Sequence, residues 1–303
     1  MKEFWALNAR NVKIYFKDRS AVFFSLLSMF IVIMLMVFFL GDVSNDAILS
    51  VFKELPGRDL DKDTENVSRM VYLWTVAGII TINAASVTHA FFANMIRDRN
   101  ENRLNSILVM PIKRNVIVSA YVFGAWFVSV IMGTITLAVT EGIGIAKGLG
   151  AFSFSEHMKI MGLICVNSFV YAAIIFFIAS VVKSENAWGG IGIVLGTLSG
   201  FLGGIYLSIG SLAEGVVKVI KCFPFIYGTS VFREIMLEGV ENELFEGIPE
   251  AVRETVDLEM GMKMTLFEKE LSAGGKVGIL IIVGVVFMLL STLYLTYSKK
   301  KDR

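Results

Sequence analysis

Six long stretches of this sequence carry almost no charge, and they constrain the fold more than any other feature. The first, AVFFSLLSMFIVIMLMVFFL at 21–40, contains no charged residue at all. Because about 20 apolar residues rising about 1.5 Å each cross a hydrocarbon layer about 30 Å thick, such a run is typical of a transmembrane helix. The runs lie at 21–40, 71–96, 116–144, 160–182, 187–209 and 277–297. We therefore expect an all-α integral membrane protein with six transmembrane helices, forming a single transmembrane domain over residues 1–303.

The charged residues between these runs are unevenly distributed. Fifteen of the 28 Lys and Arg residues, but only six of the 27 Asp and Glu residues, fall in four segments at 1–20, 97–115, 183–186 and 298–303. Short flanks rich in Lys and Arg remain in the cytoplasm. We therefore expect both termini to be cytoplasmic in a multi-pass protein of a bacterial plasma membrane.

The first segment, MKEFWALNARNVKIYFKDRS, mixes apolar and basic residues at a helical spacing. This pattern predicts an amphipathic helix in the cytoplasmic headgroup layer, with Arg10, Lys13 and Lys17 on its polar side. An ordinary positive flank that only orients the first span is the alternative.

The connection between the second and third runs, MIRDRNENRLNSILVMPIKRNVIV at 95–118, is the most informative one. Leu104, Ile107, Leu108 and Pro111 share one helical face, and Pro111 cannot continue a helix interior. We expect a short helix beneath the membrane with an apolar face and a charged rim. An apolar cluster of this kind indicates a protein partner, whereas a plain surface loop would not need it.

Two segments are expected on the outer side. The acidic stretch GRDLDKDTEN at 57–66 lacks the spacing of a calcium loop and predicts a solvated acidic loop. The segment 210–275 begins with an apolar part interrupted at Pro224 and Gly228, which predicts re-entrant or interfacial helices. Its acidic, helix-prone remainder predicts an exposed cap.

No catalytic constellation is visible in the sequence. The two histidines have no acidic or cysteine neighbours at metal-ligand spacing, Cys165 and Cys222 are expected to be unpaired, and no nucleotide-binding motif is present. Charged residues make up 18% of the chain, whereas soluble domains contain roughly 25%. We do not expect a nucleic-acid partner. Polar residues inside the second run, with Asn83 and Ser86 on one face, are expected to point inward, either lining a path or joining helices.

The fifth run holds Gly192, Gly196, Gly200 and Gly204 at intervals of four. In a water-exposed helix, each glycine lowers helix stability by about 1 kcal/mol relative to alanine, so a regular spacing of glycines needs a physical reason. In a membrane, small residues at this interval let two helices approach closely. The pattern predicts a packing ridge, either within one chain or against a second copy.

These features together resemble the membrane subunits of type-2 ABC exporters, over nearly the whole chain. In RDRNENRLNSILVMPIKR, the places of that family's ATPase-coupling motif are occupied by Asp98, Arg99, Glu101, Leu104, Ile107, Leu108 and Pro111. Asn102 and Arg103 depart from the glycine and small hydroxyl residue usual there. Since Asn tolerates left-handed backbone, we expect the turn to be retained.

The resemblance implies a permease that is not itself an enzyme and carries no cofactor. It implies two partner ATPase subunits that hold ATP and magnesium, a second copy or a related permease, and export of an amphipathic drug, an antimicrobial peptide or a lipid-like molecule, as in multidrug efflux. It also implies that the fifth span lies near the dimer axis and borders the substrate path with the second. An ion-coupled secondary transporter and a non-transporting scaffold or sensor are the alternatives, although neither inverted repeats nor midplane carboxylates are visible.

Overall fold

The computed structural model describes residues 1–35, 48–50, 52, 58–103, 112–204, 206, 208–266 and 269–301. Helices dominate this part of the chain, and a hairpin of two-residue strands accompanies them. In chain order the elements are α1 (Lys2–Lys17), α2 (Arg19–Leu35), α3 (Leu60–Asn100), α4 (Arg114–Ala146), α5 (Phe154–Val181), α6 (Glu185–Leu202), a 3-10 turn (Ile209–Ser211), α7 (Glu214–Ile220), α8 (Pro224–Leu244), α9 (Glu250–Glu259), β1 (Thr265–Leu266), β2 (Lys269–Glu270) and α10 (Ala273–Lys301).

Helix α3 is the central element of the bundle. Its 41 residues extend about 60 Å at the usual helical rise, well beyond the hydrocarbon thickness. The helix begins inside the stretch expected to be an acidic loop, because the Asp59 side chain caps its N-terminus. Arg58 pairs with the buried Asp63 one turn further on. The expectation of a solvated loop is therefore wrong from residue 60 onward, since these acidic residues cap and flank a helix start.

The other long helices pack around α3. Helices α4, α5 and α8 contact it directly, and α10 packs on α5 and α8. Four described helices are long and apolar enough to cross a membrane, namely α3, α4, α5 and α10. A fifth span arises if the bent pair α7 and α8 counts as one. The described part of α2 has 17 residues, and the 18-residue α6 is less apolar, so six spans remain a prediction.

The bundle has two ends with different neighbours. At the end we call the clamp end, α1 lies across α4 beside the C-terminal turns of α3. At the opposite end, the cap end, residues 245–266 cover the N-terminal half of α3, where Trp74 donates a hydrogen bond to the Met260 carbonyl oxygen at 2.8 Å. A helix, α1, occupies the stretch where the amphipathic helix is predicted, with Leu7, Asn8, Asn11 and Tyr15 buried, while its place in the cytoplasmic headgroup layer stays a prediction.

The segment before α10 is only partly as expected. Pro224 is the first residue of α8, and the axes of α7 and α8 differ by 91°, so the chain bends sharply there. Gly228, however, lies inside α8 rather than at a break. A Cβ on Gly228 would stand 2.8 Å from Asn167 Oδ1, so glycine serves close packing of α8 on α5. The 21-residue α8 packs in the bundle, and with α7 it forms a bent pair that fits either a broken span or a re-entrant segment, so the re-entrant helices stay a prediction.

Candidate functional site

An ion pair joins α1 to the end of α3. Arg10 Nη2 lies 2.5 Å from Asp98 Oδ2, and Asp98 is 6% exposed. The Asn8 side chain on α1 packs against the α4 backbone, since a Cβ on Gly124 would stand 2.9 Å from Asn8 Oδ1. Because a carboxylate buried to this degree needs a cationic partner, the pair fixes α1 on the last turns of α3.

Arg99 joins the same end of α3 to α5. Its guanidinium donates to the carbonyl oxygens of Ala179 at 3.2 Å and Ser180 at 3.1 Å, and also to that of Val182. These carbonyls belong to the last turn of α5 and its C-cap, where backbone acceptors have no partner within the helix and the macrodipole favours a cation. Arg99 is therefore a C-terminal cap for α5 supplied by α3.

The remaining clamp-end charges make weaker contacts. Arg97 lies 3.9 Å from Asp18 at the junction of α1 and α2, and its side chain is 55% exposed. Lys13 and Lys17 are exposed on the side of α1 away from the bundle. We call the set of Arg10, Asp98 and Arg99, with the helix ends they join, the clamp.

The predicted coupling segment begins where the clamp ends. Glu101 is exposed and pairs with Arg103 at 2.7 Å. Asn102 has φ of 60°, the only positive φ among described non-glycine residues, so the expected left-handed turn is present. Leu104, Ile107, Leu108 and Pro111 lie outside the described residues. Their shared face remains a prediction.

The polar residues of the second run lie between helices. Asn83 is buried and donates to Thr136 Oγ1 on α4 at 2.8 Å, while Ser86 is half-buried. On the neighbouring helix pair, Ser129 on α4 and Ser168 on α5 are 2.9 Å apart. These contacts connect helices directly. Their additional role in a path remains a prediction.

The four glycines do not form one continuous ridge. Gly192 faces α3, where an added Cβ would stand 2.6 Å from His89 Cε1, and Gly200 faces Tyr206. Gly196 has open space around it within the described residues. Helix α6 ends at Leu202, and Gly204 has φ of 62°, so Gly204 belongs to the turn after the helix. The prediction of a four-residue helical ridge ending at Gly204 is therefore wrong, because a left-handed residue terminates the helix first.

Because Gly192 faces α3 and Gly196 faces open space, substitutions at these two glycines should differ in their effect on stability. Gly192→Leu should lower the stability of the purified chain by about 1–3 kcal/mol, because the new side chain must displace His89. The His89 ring stacks on Trp188, and its Nε2–H donates to the Trp188 carbonyl oxygen at 3.1 Å. Gly196→Leu should change it by less than about 1 kcal/mol. Thermal unfolding in detergent measures both, and equal losses would contradict the placement of Gly192 against α3.

Two buried cations escaped the sequence analysis. Arg233 on α8 is 0% exposed, with its guanidinium 4.0 Å above the Trp74 ring. It donates to the Gly204 carbonyl oxygen at 2.7 Å and to that of Met260 at 2.9 Å. Arg233 thus ties the turn after α6 and the end of α9 to α3. Its signal in the sequence was a basic residue inside the apolar stretch FPFIYGTSVFREIM.

Lys276 at the start of α10 is the second. Its ammonium group is fully buried, pairs with Glu234 on α8, and donates to Ser230 Oγ and the Met262 carbonyl oxygen, each at 2.8 Å. In the sequence, Lys276 stands directly before the sixth uncharged run, at 277–297. Its partners are 14 to 46 residues away along the chain, so spacing alone gave no signal for them.

No group of three His, Cys, Asp or Glu side chains in the described part of the chain could hold a metal ion. Cys165 and Cys222 are unpaired, as expected.

A sequence model of the family described as "ABC-2 family transporter protein" matches residues 51–293. The search of curated proteins returned no match.

Proposed function

Because this chain belongs to the ABC-2 transporter family, whose members are membrane components of ABC transporters, we propose that it is the permease subunit of an ATP-driven exporter. The match extends from before α3 almost to the end of α10, so it includes α3 to α9, most of α10 and the cap, and it begins after α1 and α2. In this proposal the clamp end faces the cytoplasm and the cap end faces outward.

The clamp at the end of α3 is the main support for this proposal. The segment expected to dock on an ATPase, residues 98–111, starts at a point where one helix end holds two others through Asp98 and Arg99. A displacement of this segment would therefore move α1 and α5 together with α3. Charge-assisted hydrogen bonds are about twice as strong as neutral ones, which suits a contact that must transmit force.

The exporter proposal assigns different tasks to the acidic and basic groups of this segment. Asp98 and Arg99 serve the clamp, whereas the exposed Glu101 and Arg103, which pair with each other, would meet a partner surface beside the predicted apolar face at 104–111. Two ATPase subunits would bind ATP and magnesium, and closure of the pair would push on two permeases, identical or related. The substrate would be an amphipathic drug, antimicrobial peptide or lipid-like molecule moved out of the cytoplasm or inner leaflet.

The test uses the chain together with its own ATPase, reconstituted in vesicles. A screen of amphipathic dyes and peptides for stimulation of ATP hydrolysis supplies the transport probe. Glu101→Ala and Leu108→Asp should each lower probe export by about tenfold or more, because a docking face loses a charged or an apolar contact at its centre. Membrane insertion should be unchanged.

Glu254→Ala, an identical change on the exposed face of α9 at the cap end, is the matched control for Glu101→Ala and should export normally. Undiminished export by both clamp-end variants would contradict the docking assignment.

A further inference from the structure

An open groove of about 850 Å³ lies at the cap end, between α8, α9 and the start of α10. This volume falls in the range of small-molecule pockets, roughly 300–1,000 Å³. Carboxylates dominate its polar lining, which includes Glu234, Glu238, Glu241, Glu250, Asp257 and Glu270.

The cations near this groove leave two of the carboxylates unmatched. Lys276 pairs with Glu234, Lys159 lies 3.8 Å from Glu238, Arg253 lies 3.2 Å from Glu241, and Lys263 lies 3.8 Å from Asp257. Among the described residues, Glu250 and Glu270 have no ion-pair partner. The groove therefore carries two carboxylates in excess of its cations.

A buried atom gives the second, independent observation. The Asp257 side chain is only 5% exposed, yet its Oδ1 atom has no hydrogen-bond partner among the described residues. Burial raises the pKa of Asp257 above its usual range, and Glu250 and Glu270 lie near enough to raise it further, against the opposing effects of Lys263 and Arg253. An unsatisfied carboxylate oxygen costs free energy that a hydrogen-bond donor from a ligand would recover.

We propose that this groove binds a small organic polycation through two ammonium groups, at Glu250 and Glu270, with a further N–H donated to Asp257. An organic cation fits better than a metal ion, because no three metal-ligating side chains converge here within the described residues. Ammonium groups on a flexible chain can reach separated carboxylates, whereas a single ion requires them at one point. The site lies at the opposite end of the bundle from the clamp, so ligand binding to it can be measured without the ATPase.

Spermidine is the probe, and the full-length chain in phosphatidylcholine nanodiscs is the sample, because zwitterionic lipid does not itself attract polyamines. Calorimetric titration should give saturable binding that weakens as salt rises. The double variant Glu250→Gln and Glu270→Gln should raise the dissociation constant of spermidine by about fivefold or more, because each exposed charge pair contributes up to about 1 kcal/mol. The double variant Glu254→Gln and Glu259→Gln removes the same charge from α9 outside the groove lining and should bind normally.

Asp257→Asn provides a second readout and should also weaken binding. Equal weakening in the control pair, or Mg²⁺ displacing spermidine at equal concentration, would overturn the proposal in favour of diffuse surface charge. Absence of saturable binding up to about 10 mM would overturn it outright. Because no ATPase or transport step is involved, this result is separate from that of the exporter test.

Discussion

Arg233→Ala is expected to destabilise the chain by about 3 kcal/mol and to lower its melting temperature by roughly 5 °C or more. The substitution empties a fully buried site and leaves the Gly204 carbonyl oxygen without its donor. The Met260 carbonyl oxygen retains the Trp74 indole, so the loss is concentrated at the turn after α6. Thermal unfolding of the purified chain in detergent measures the effect.

Arg233→Met is the matched comparison, because it keeps most of the volume and removes the cost of burying a charge. Because Met leaves the Gly204 carbonyl oxygen without its donor, as Ala does, this variant should still lose about 1–2 kcal/mol, and the remaining difference from Arg233→Ala reports the cost of the cavity. An Arg233→Ala protein as stable as wild type would contradict the assigned role of Arg233 in holding the cap to α3.

Arg99→Ala is expected to open the last turn of α5. This substitution removes the donors to three carbonyls, but Arg99 is only partly buried and water can replace part of the lost bonding, so the net cost should be about 1.5–2 kcal/mol. Because local opening governs amide exchange, exchange of the amides at 178–182 should accelerate by about 10- to 30-fold. Hydrogen–deuterium exchange with mass spectrometry measures this directly.

Arg97→Ala is the control for this effect. Arg97 lies two residues earlier on the same helix, but it is mostly exposed and reaches Asp18 only at 3.9 Å. Exposed pairs contribute at most about 1 kcal/mol, so exchange at 178–182 should stay within about twofold of wild type. Equal acceleration in both variants would mean that Arg99 does not cap α5.

Local patterns in the sequence predicted several elements correctly. The amphipathic period of residues 2–17 required a helix with one buried face, and α1 has one. Pro224 predicts an interruption of the apolar stretch, because proline cannot donate within a helix, and the break between α7 and α8 lies there. The tolerance of Asn for left-handed backbone predicted the turn at Asn102. In each case the physical constraint acts within one or two helical turns.

The failures concern partners that are distant in the chain. A glycine pattern shows which residues could share a face, but it does not say that Gly192 meets His89 while Gly196 meets open space. The acidic stretch at 57–66 has the composition of a loop, and Asp59, which caps α3, was the local signal that was missed. Arg58 then ties this helix start to the distant carbonyl oxygens of Leu244 and Glu246. Arg233 and Lys276 are buried because carbonyl groups from other segments satisfy them. No local pattern encodes those contacts.

We propose that an ATPase drives the clamp end of this chain. ATP hydrolysis tests this directly when it is measured on the complex that co-purifies with the affinity-tagged full-length chain from its own host membrane. We predict vanadate-sensitive hydrolysis with the wild-type chain, and its loss from the purified complex when Leu108→Asp prevents docking. A wild-type complex without such hydrolysis, or hydrolysis that Leu108→Asp leaves fully in place, would contradict the claim.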